Sequence, residues 1–189
     1  MSTLLTATPG QTIGPFFGYA LPFEHGNQLV PPGTPGAVRL TGVVADGDGR
    51  PVPDALLVIW QADAEGGVPA VAGSLHRDGW TFTGWGRAST DDSGHYSFTT
   101  VTPGPTTPGG AAFIMITVFA RGLLNRVFTR AYVPSDALAA DPLLASLPAE
   151  RRSTLIATTD EHGLRFDVQL QSSATKPETV FLRYPGHRR

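Results

Sequence analysis

The chain has no cysteine. Disulfide frameworks and thiolate metal sites are therefore excluded, and the compartment that fits is a reducing cytoplasm. Charge is scarce as well: 16% of residues are Asp, Glu, Lys or Arg, and the net charge is -2. That balance gives no basic face for nucleic acid and no polybasic strip for a membrane surface. No apolar run approaches the roughly 20 residues of a transmembrane helix. The opening residues, MSTLLTATPG, carry no basic segment ahead of an apolar stretch, so no secretory signal is expected.

Glycine and proline are abundant, 22 and 17 of 189 residues. Such an excess breaks helices and supplies turns, which predicts many short strands. Apolar residues make up 41% of the chain, enough for one ordinary core and no second domain. Residues 1–36 are interrupted by Pro9, Pro15, Pro22, Pro31, Pro32 and Pro35 and read as an N-terminal arm ahead of a domain over residues 37–189. Gln11 to Phe17 reads as extended, with Gly14 permitting a close approach and Pro15 stiffening it. Its apolar residues (Ile13, Phe16, Phe17, Tyr19, Leu21) require a cover, either the chain's own domain or a partner.

Val38–Ala45 and Ala55–Trp60 read as strands, the second buried on both faces. Asp46-Gly47-Asp48-Gly49 between them is a turn, since the closing glutamate of a calcium loop is missing. A long loop runs from Gly66 to about Thr81, a length that usually means function or insertion. Phe82–Ala88 and His95–Val101 flank Asp91-Asp92-Ser93-Gly94 and read as a hairpin. Ala112–Ala120 has Thr117 as its single polar residue and reads as a strand buried on both faces, with Phe113, Met115, Thr117 and Phe119 on one side. A strand over Arg126–Tyr132 follows. Ser135–Leu147 has helical composition, with Ser135 as cap, and Pro148–Thr154 would form a second piece. Thr158–Gln171 alternates Leu164, Phe166, Val168 and Leu170 with polar residues and reads as one half-exposed strand. Thr179–Leu182 is expected to add a last strand. Together these predict an all-β fold, an antiparallel sandwich with long loops, an extended arm and one or two short helices.

Chemistry is hard to find in this pattern. His25, His76, His95, His162 and His187 are not spaced as paired ligands, and His76 alone stands out, in the long loop. Asp91-Asp92 and Asp160-Glu161 are turn carboxylates. There is neither a nucleophile elbow nor a phosphate loop.

Longer motifs do carry information. Asp48-Gly49-Arg50-Pro51-Val52-Pro53-Asp54-Ala55 leads through a strand to Trp60-Gln61-Ala62-Asp63. Gly86-Arg87-Ala88-Ser89-Thr90-Asp91-Asp92-Ser93-Gly94-His95-Tyr96 is followed by Thr102-Pro103-Gly104-Pro105. These stretches resemble the intradiol ring-cleavage dioxygenases. Thr8 to Phe16 and Val118-Phe119-Ala120-Arg121-Gly122, with Thr129-Arg130, are similar to the alpha chains of members built from homologous alpha and beta chains.

The resemblance implies a fold, a metal and a partner. Catalytic members hold non-haem Fe(III) with two tyrosinates and two histidines. The matching positions here are Val68, Thr106, Phe113 and Met115. None offers a hard anionic donor, so no metal is expected in this chain. The resemblance implies that the Fe(III) belongs to a partner beta chain and that no catalytic residue lies here. It further implies that Thr12, Gly14, Pro15 and Arg130 line a substrate pocket at the interface. The implied reaction cleaves 3,4-dihydroxybenzoate with O₂ to 3-carboxy-cis,cis-muconate, in the β-ketoadipate route of aromatic catabolism. The alternatives are a non-enzymatic β-sandwich binding module and a homomeric intradiol enzyme, the second opposed by the four missing ligands.

Overall fold

A computed structural model describes Gly14, residues 16–70 and residues 77–184. Two sheets form face to face. One has the order β4-β1-β8-β7, with β9 also on β1; the other has the order β3-β2-β5-β6. The strands are β1 (Ala37–Ala45), β2 (Leu56–Gln61), β3 (Trp85–Ser89), β4 (His95–Val101), β5 (Phe113–Phe119), β6 (Val127–Tyr132), β7 (Thr158–Asp160), β8 (Gly163–Arg165) and β9 (Val168–Gln169). The expected β-sandwich is what forms. Its pairings are antiparallel except where β1 meets β8 and β9, which run parallel to it.

The core lies between the sheets. Leu40, Val44, Tyr96, Phe98, Leu164, Phe166 and Val168 from the first sheet meet Leu57, Ile59, Ile114, Ile116, Val118 and Ala131 from the second. These are alternate residues of their strands, as the two-residue period of a strand requires.

Several expectations are corrected here. Strand β5 is buried on one face, not two, and β2 is buried on both faces only at its start, where Leu56 and Leu57 are both covered. Val58 and Trp60 in β2, and Phe113, Met115, Thr117 and Phe119 in β5, point outward and are half-buried or exposed. Their apolar character reflects an outer layer, not a second core face. The segment after Phe82 enters the sheet later than expected, at Trp85. It does not form a hairpin with β4: β3 pairs with β2, and β4 pairs with β1. The Asp91–Gly94 turn therefore carries the chain from one sheet to the other. Thr90 holds that crossing, accepting from Ala55 N at 3.0 Å and donating to Val52 O at 2.8 Å.

Thr158–Gln171 splits into β7, β8 and β9. Asp160 Oδ1 accepts from the backbone of His162 and Gly163 and turns the chain there. The second break lies at Phe166 and Asp167, where the Asp167 carboxylate takes the place of a backbone acceptor for Val43 N at 3.0 Å. Leu164, Phe166 and Val168 are buried as expected, but Gln169 is buried too, donating to the Asp46 and Gln171 carbonyls. Thr179–Leu182 makes one isolated bridge, from Leu182 to Phe128, and no strand.

Three helical pieces follow β6 instead of two: a 3₁₀ turn (Asp136–Ala140), α2 (Pro142–Ala145) and α3 (Ala149–Ser153). Ser135 makes no capping bond. Asp141 caps α2 instead, accepting from Leu144 N at 3.0 Å, with Pro142 at the first helical position. Leu144, Leu155, Tyr132, Ala111 and Val180 form a second small core outside the β5–β6 sheet, against Phe113.

The described arm is not fully extended. A short helix, α1 (Phe17–Ala20), interrupts it. Phe17 is buried against Phe119, with ring centroids 5.9 Å apart. Farther on, Phe23 stacks on Trp85 at 5.8 Å, and Arg87 lies over Trp85 at 4.8 Å while donating to Leu21 O. Leu29 then enters the main core, and Gln28 bridges to Thr99. The arm thus closes the sandwich beside β3 and β4.

Candidate functional site

Of the implied metal positions, Phe113 and Met115 stand where β5 begins, at the sheet end reached by the loops that carry Val68 and Thr106. There β2 ends, β5 begins, and Gln61 pairs with Ile114. Two loops meet at the same end. Gly104 N donates to Asp63 O at 2.7 Å, and the Asp63 carboxylate holds its own loop by accepting from Glu65 N and Gly67 N. Val68 leaves the first loop and is exposed; Thr106 follows the second and is exposed. Phe113 stands opposite Tyr132, and Met115 stands between Trp60 and Arg130.

These side chains do not fit Fe(III). Val68 and Phe113 have no donor atom, Thr106 offers a neutral hydroxyl, and the Met115 thioether is too soft for a ferric ion. Among the described residues no three His, Cys, Asp or Glu converge as a metal site. The tyrosines supply no substitute. Tyr96 is buried and donates to Phe166 O at 2.5 Å. Tyr132 is buried and donates to Asp141 Oδ1 at 3.2 Å. Burial pushes both phenols above their ordinary pKa, away from the phenolate a ferric ion needs.

Arg130 is the most structured polar group at this end. Its guanidinium carbon lies 4.1 Å from the centroid of the Phe113 ring. Its Nη1 donates to the Tyr132 hydroxyl at 3.1 Å. The Tyr184 hydroxyl lies nearby without a hydrogen bond of normal geometry, its ring edge-on to Phe128. Burial opposes the charge of Arg130, but the two phenols outweigh it and hold the guanidinium above its ordinary pKa. A half-buried cation is thus fixed on an aromatic platform.

The other expected pocket residues are placed less fully. Thr12 and Pro15 lie outside the described residues, as do His76 and His187. Gly14 has φ +68°, a left-handed conformation suited to glycine, and a β-carbon there would meet no described residue within 4 Å. The arm is anchored by Phe17 at Phe119, whereas Arg130 pairs with Met115, about 14 Å back along β5. Phe16 and Tyr19 are 79% and 84% exposed.

The remaining candidates are turn and surface groups. His25, His95 and His162 lie 3.4–3.9 Å from Glu24, Asp91 and Glu161. Asp46 and Asp48 bond to their own turn and to Arg50, so they form no calcium loop.

Two features escape a reading of motifs. Gln61 is buried and joins the sheets, donating to Val101 O at 2.9 Å and accepting from Thr100 Oγ1 at 2.7 Å. The signal was there: Leu57, Ile59 and Gln61 share one face, so Gln61 is polar at an inward position. Asp141, which both caps α2 and accepts from Tyr132, had no signal beyond its place before Pro142.

Comparison with known proteins decides the family. The model of the dioxygenase family matches residues 12–172. The protocatechuate 3,4-dioxygenase alpha chain of Burkholderia cepacia is 40% identical over 198 residues, covering 95% of this chain and 98% of that one. The chain belongs to the intradiol dioxygenases. The protocatechuate 3,4-dioxygenase beta chain of the same organism is 32% identical over 74% of this chain and 66% of its own length. A solved relative is the dioxygenase domain of a dioxygenase–carbohydrate-binding fusion from Streptomyces sp. SirexAA-E. It shares 26% identity and a TM-score of 0.57, over 77% of this chain and 87% of that domain. Iron is typical of intradiol dioxygenases.

Proposed function

We propose that the chain is the non-iron-binding alpha subunit of a protocatechuate 3,4-dioxygenase. The observation that carries this reading is the combination at one sheet end: four positions without a ferric donor, beside an arginine held by Phe113 and Tyr132. In this reading the Fe(III) sits in a homologous beta chain. Bound there, the metal would supply the activation of the catechol toward O₂, and the complex would yield 3-carboxy-cis,cis-muconate in the cytoplasm. Residues 1–36 act as the arm and residues 37–189 as the sandwich. Thr12, Gly14 and Pro15 form a close, rigid wall against the flat substrate ring. Arg130 receives the substrate carboxylate, for which its planar fork is suited.

Co-expression with a homologous beta chain tests this. The complex should contain iron, show the red-brown colour of tyrosinate-to-iron charge transfer, and cleave 3,4-dihydroxybenzoate; this chain alone should be colourless. Stoichiometric iron in this chain alone would overturn the assignment. So would a stable monomer that takes no beta partner, the behaviour of a binding module.

A further inference from the structure

The surroundings of Arg130 extend the reading above, on which this inference rests. An exposed arginine has many rotamers, and a carboxylate must select one. Here the selection is made in advance. The Phe113 ring supports one face of the guanidinium at 4.1 Å. The Tyr132 hydroxyl accepts from Nη1 at 3.1 Å, and its own proton is directed to Asp141 at 3.2 Å. Asp141 is fixed in turn by capping α2 through Leu144 N. With its proton committed to Asp141, the Tyr132 oxygen presents a lone pair to Arg130. Phe113 packs on Tyr132 with ring centroids 5.5 Å apart and against the second small core. Each member is therefore held by something other than Arg130.

We propose that Phe113 and Tyr132, the latter oriented by Asp141, are positioning residues that preset Arg130 for the carboxylate of the aromatic substrate. Phe113 occupies a position that the family resemblance matches to an iron ligand. Its aromatic ring has become a platform for a cation, serving substrate selection instead of metal binding. A substrate lacking the carboxylate gains nothing from this arrangement.

The test uses the assembled alpha–beta complex, with 3,4-dihydroxybenzoate and catechol compared as substrates. Tyr132→Phe removes the acceptor and keeps the ring. Phe113→Leu removes the π face and keeps apolar volume; Phe113→Tyr restores the face. Asp141→Asn retains an N-cap while weakening the acceptor for Tyr132. Tyr132→Phe and Phe113→Leu should raise KM for 3,4-dihydroxybenzoate about tenfold more than KM for catechol, with smaller changes in kcat. Asp141→Asn should shift the same ratio less, and Phe113→Tyr should return it to that of the parent. Arg130→Ala is run in parallel. If it discriminates between the substrates while Tyr132→Phe and Phe113→Leu change both alike, the positioning role is wrong and the carboxylate role of Arg130 stands. If Arg130→Ala does not discriminate, the carboxylate role is wrong and the positioning role falls with it.

Discussion

The backbone carbonyl of Phe166 packs directly onto the face of Gly42, in the space a β-carbon would need. The same carbonyl accepts the Tyr96 hydroxyl at 2.5 Å. Strand β1 runs beside β8 and β9 in one continuous parallel register, Leu40 against Leu164 and Val44 against Val168, and Gly42 stands at the gap between them. The close approach lets the chain bend after β8 and rejoin β1 two residues later.

Gly42→Ala should therefore be destabilising. The added methyl meets backbone, which cannot rotate away, so β1 and residues 166–167 must separate. A loss of about 3 kcal/mol is expected, at the upper end for an overpacked core. Urea unfolding of the isolated chain measures it; a loss below about 0.5 kcal/mol would show that the bend yields freely.

Gln61 gives a second prediction. Gln61→Leu fits the apolar surroundings but leaves the Thr100 hydroxyl and the Val101 carbonyl without their cross-sheet partner. Each orphaned group costs roughly 1–3 kcal/mol. The double variant Gln61→Leu, Thr100→Val should lose less than the sum of the singles, because the hydroxyl is removed along with its partner. Additive losses in chemical unfolding would mean that the two residues do not act as a pair.

The architecture was legible because turn residues and two-residue alternation are local properties. The positions of β1, β4, β5 and β6 follow from them. Sheet membership was not legible: Asp91-Asp92-Ser93-Gly94 carries hairpin composition, yet Thr90 bonds to Val52 and Ala55 and sends β4 to the other sheet. Nor does composition distinguish a core face from an outer face later covered. Phe113, Phe119 and Trp85 look like core but receive Arg130, Phe17 and Phe23 instead. At the site, the lack of a hard anionic donor at Val68, Thr106, Phe113 and Met115 is visible residue by residue. The Arg130–Tyr132–Asp141 chain is not, since it depends on where α2 docks.

The Asp78 turn predicts a pH dependence. Its carboxylate accepts from Thr81 Oγ1 at 2.6 Å, Thr81 N at 2.7 Å and Trp80 N at 2.8 Å. Thr81 chiefly, with Trp80, lowers its pKa to about 2. A depressed carboxylate pKa stabilises the turn above the ordinary carboxylate range, and that contribution is lost as pH falls toward about 2. In a carboxyl NMR titration, Asp78 should have its midpoint there, and Thr81→Val should raise it. An ordinary midpoint for Asp78 in the parent chain would mean that the turn is open in solution.

The arm separates stability from assembly within four residues. Phe17 is buried on Phe119, while Phe16 and Tyr19 point outward and no described residue covers them. Phe17→Ala should destabilise the isolated chain by about 3 kcal/mol, the lower end for losing a buried phenylalanine. Phe16→Ser with Tyr19→Ser should leave the isolated chain within about 0.5 kcal/mol of the parent, as exposed substitutions do. If the beta chain covers these rings, the same double variant should weaken the complex by tenfold or more, since buried aromatic anchors carry much of an interface's energy. Thermal unfolding of the free chain and sedimentation of the mixed chains read the two effects separately. A double variant that assembles like the parent would place the interface elsewhere on the molecule.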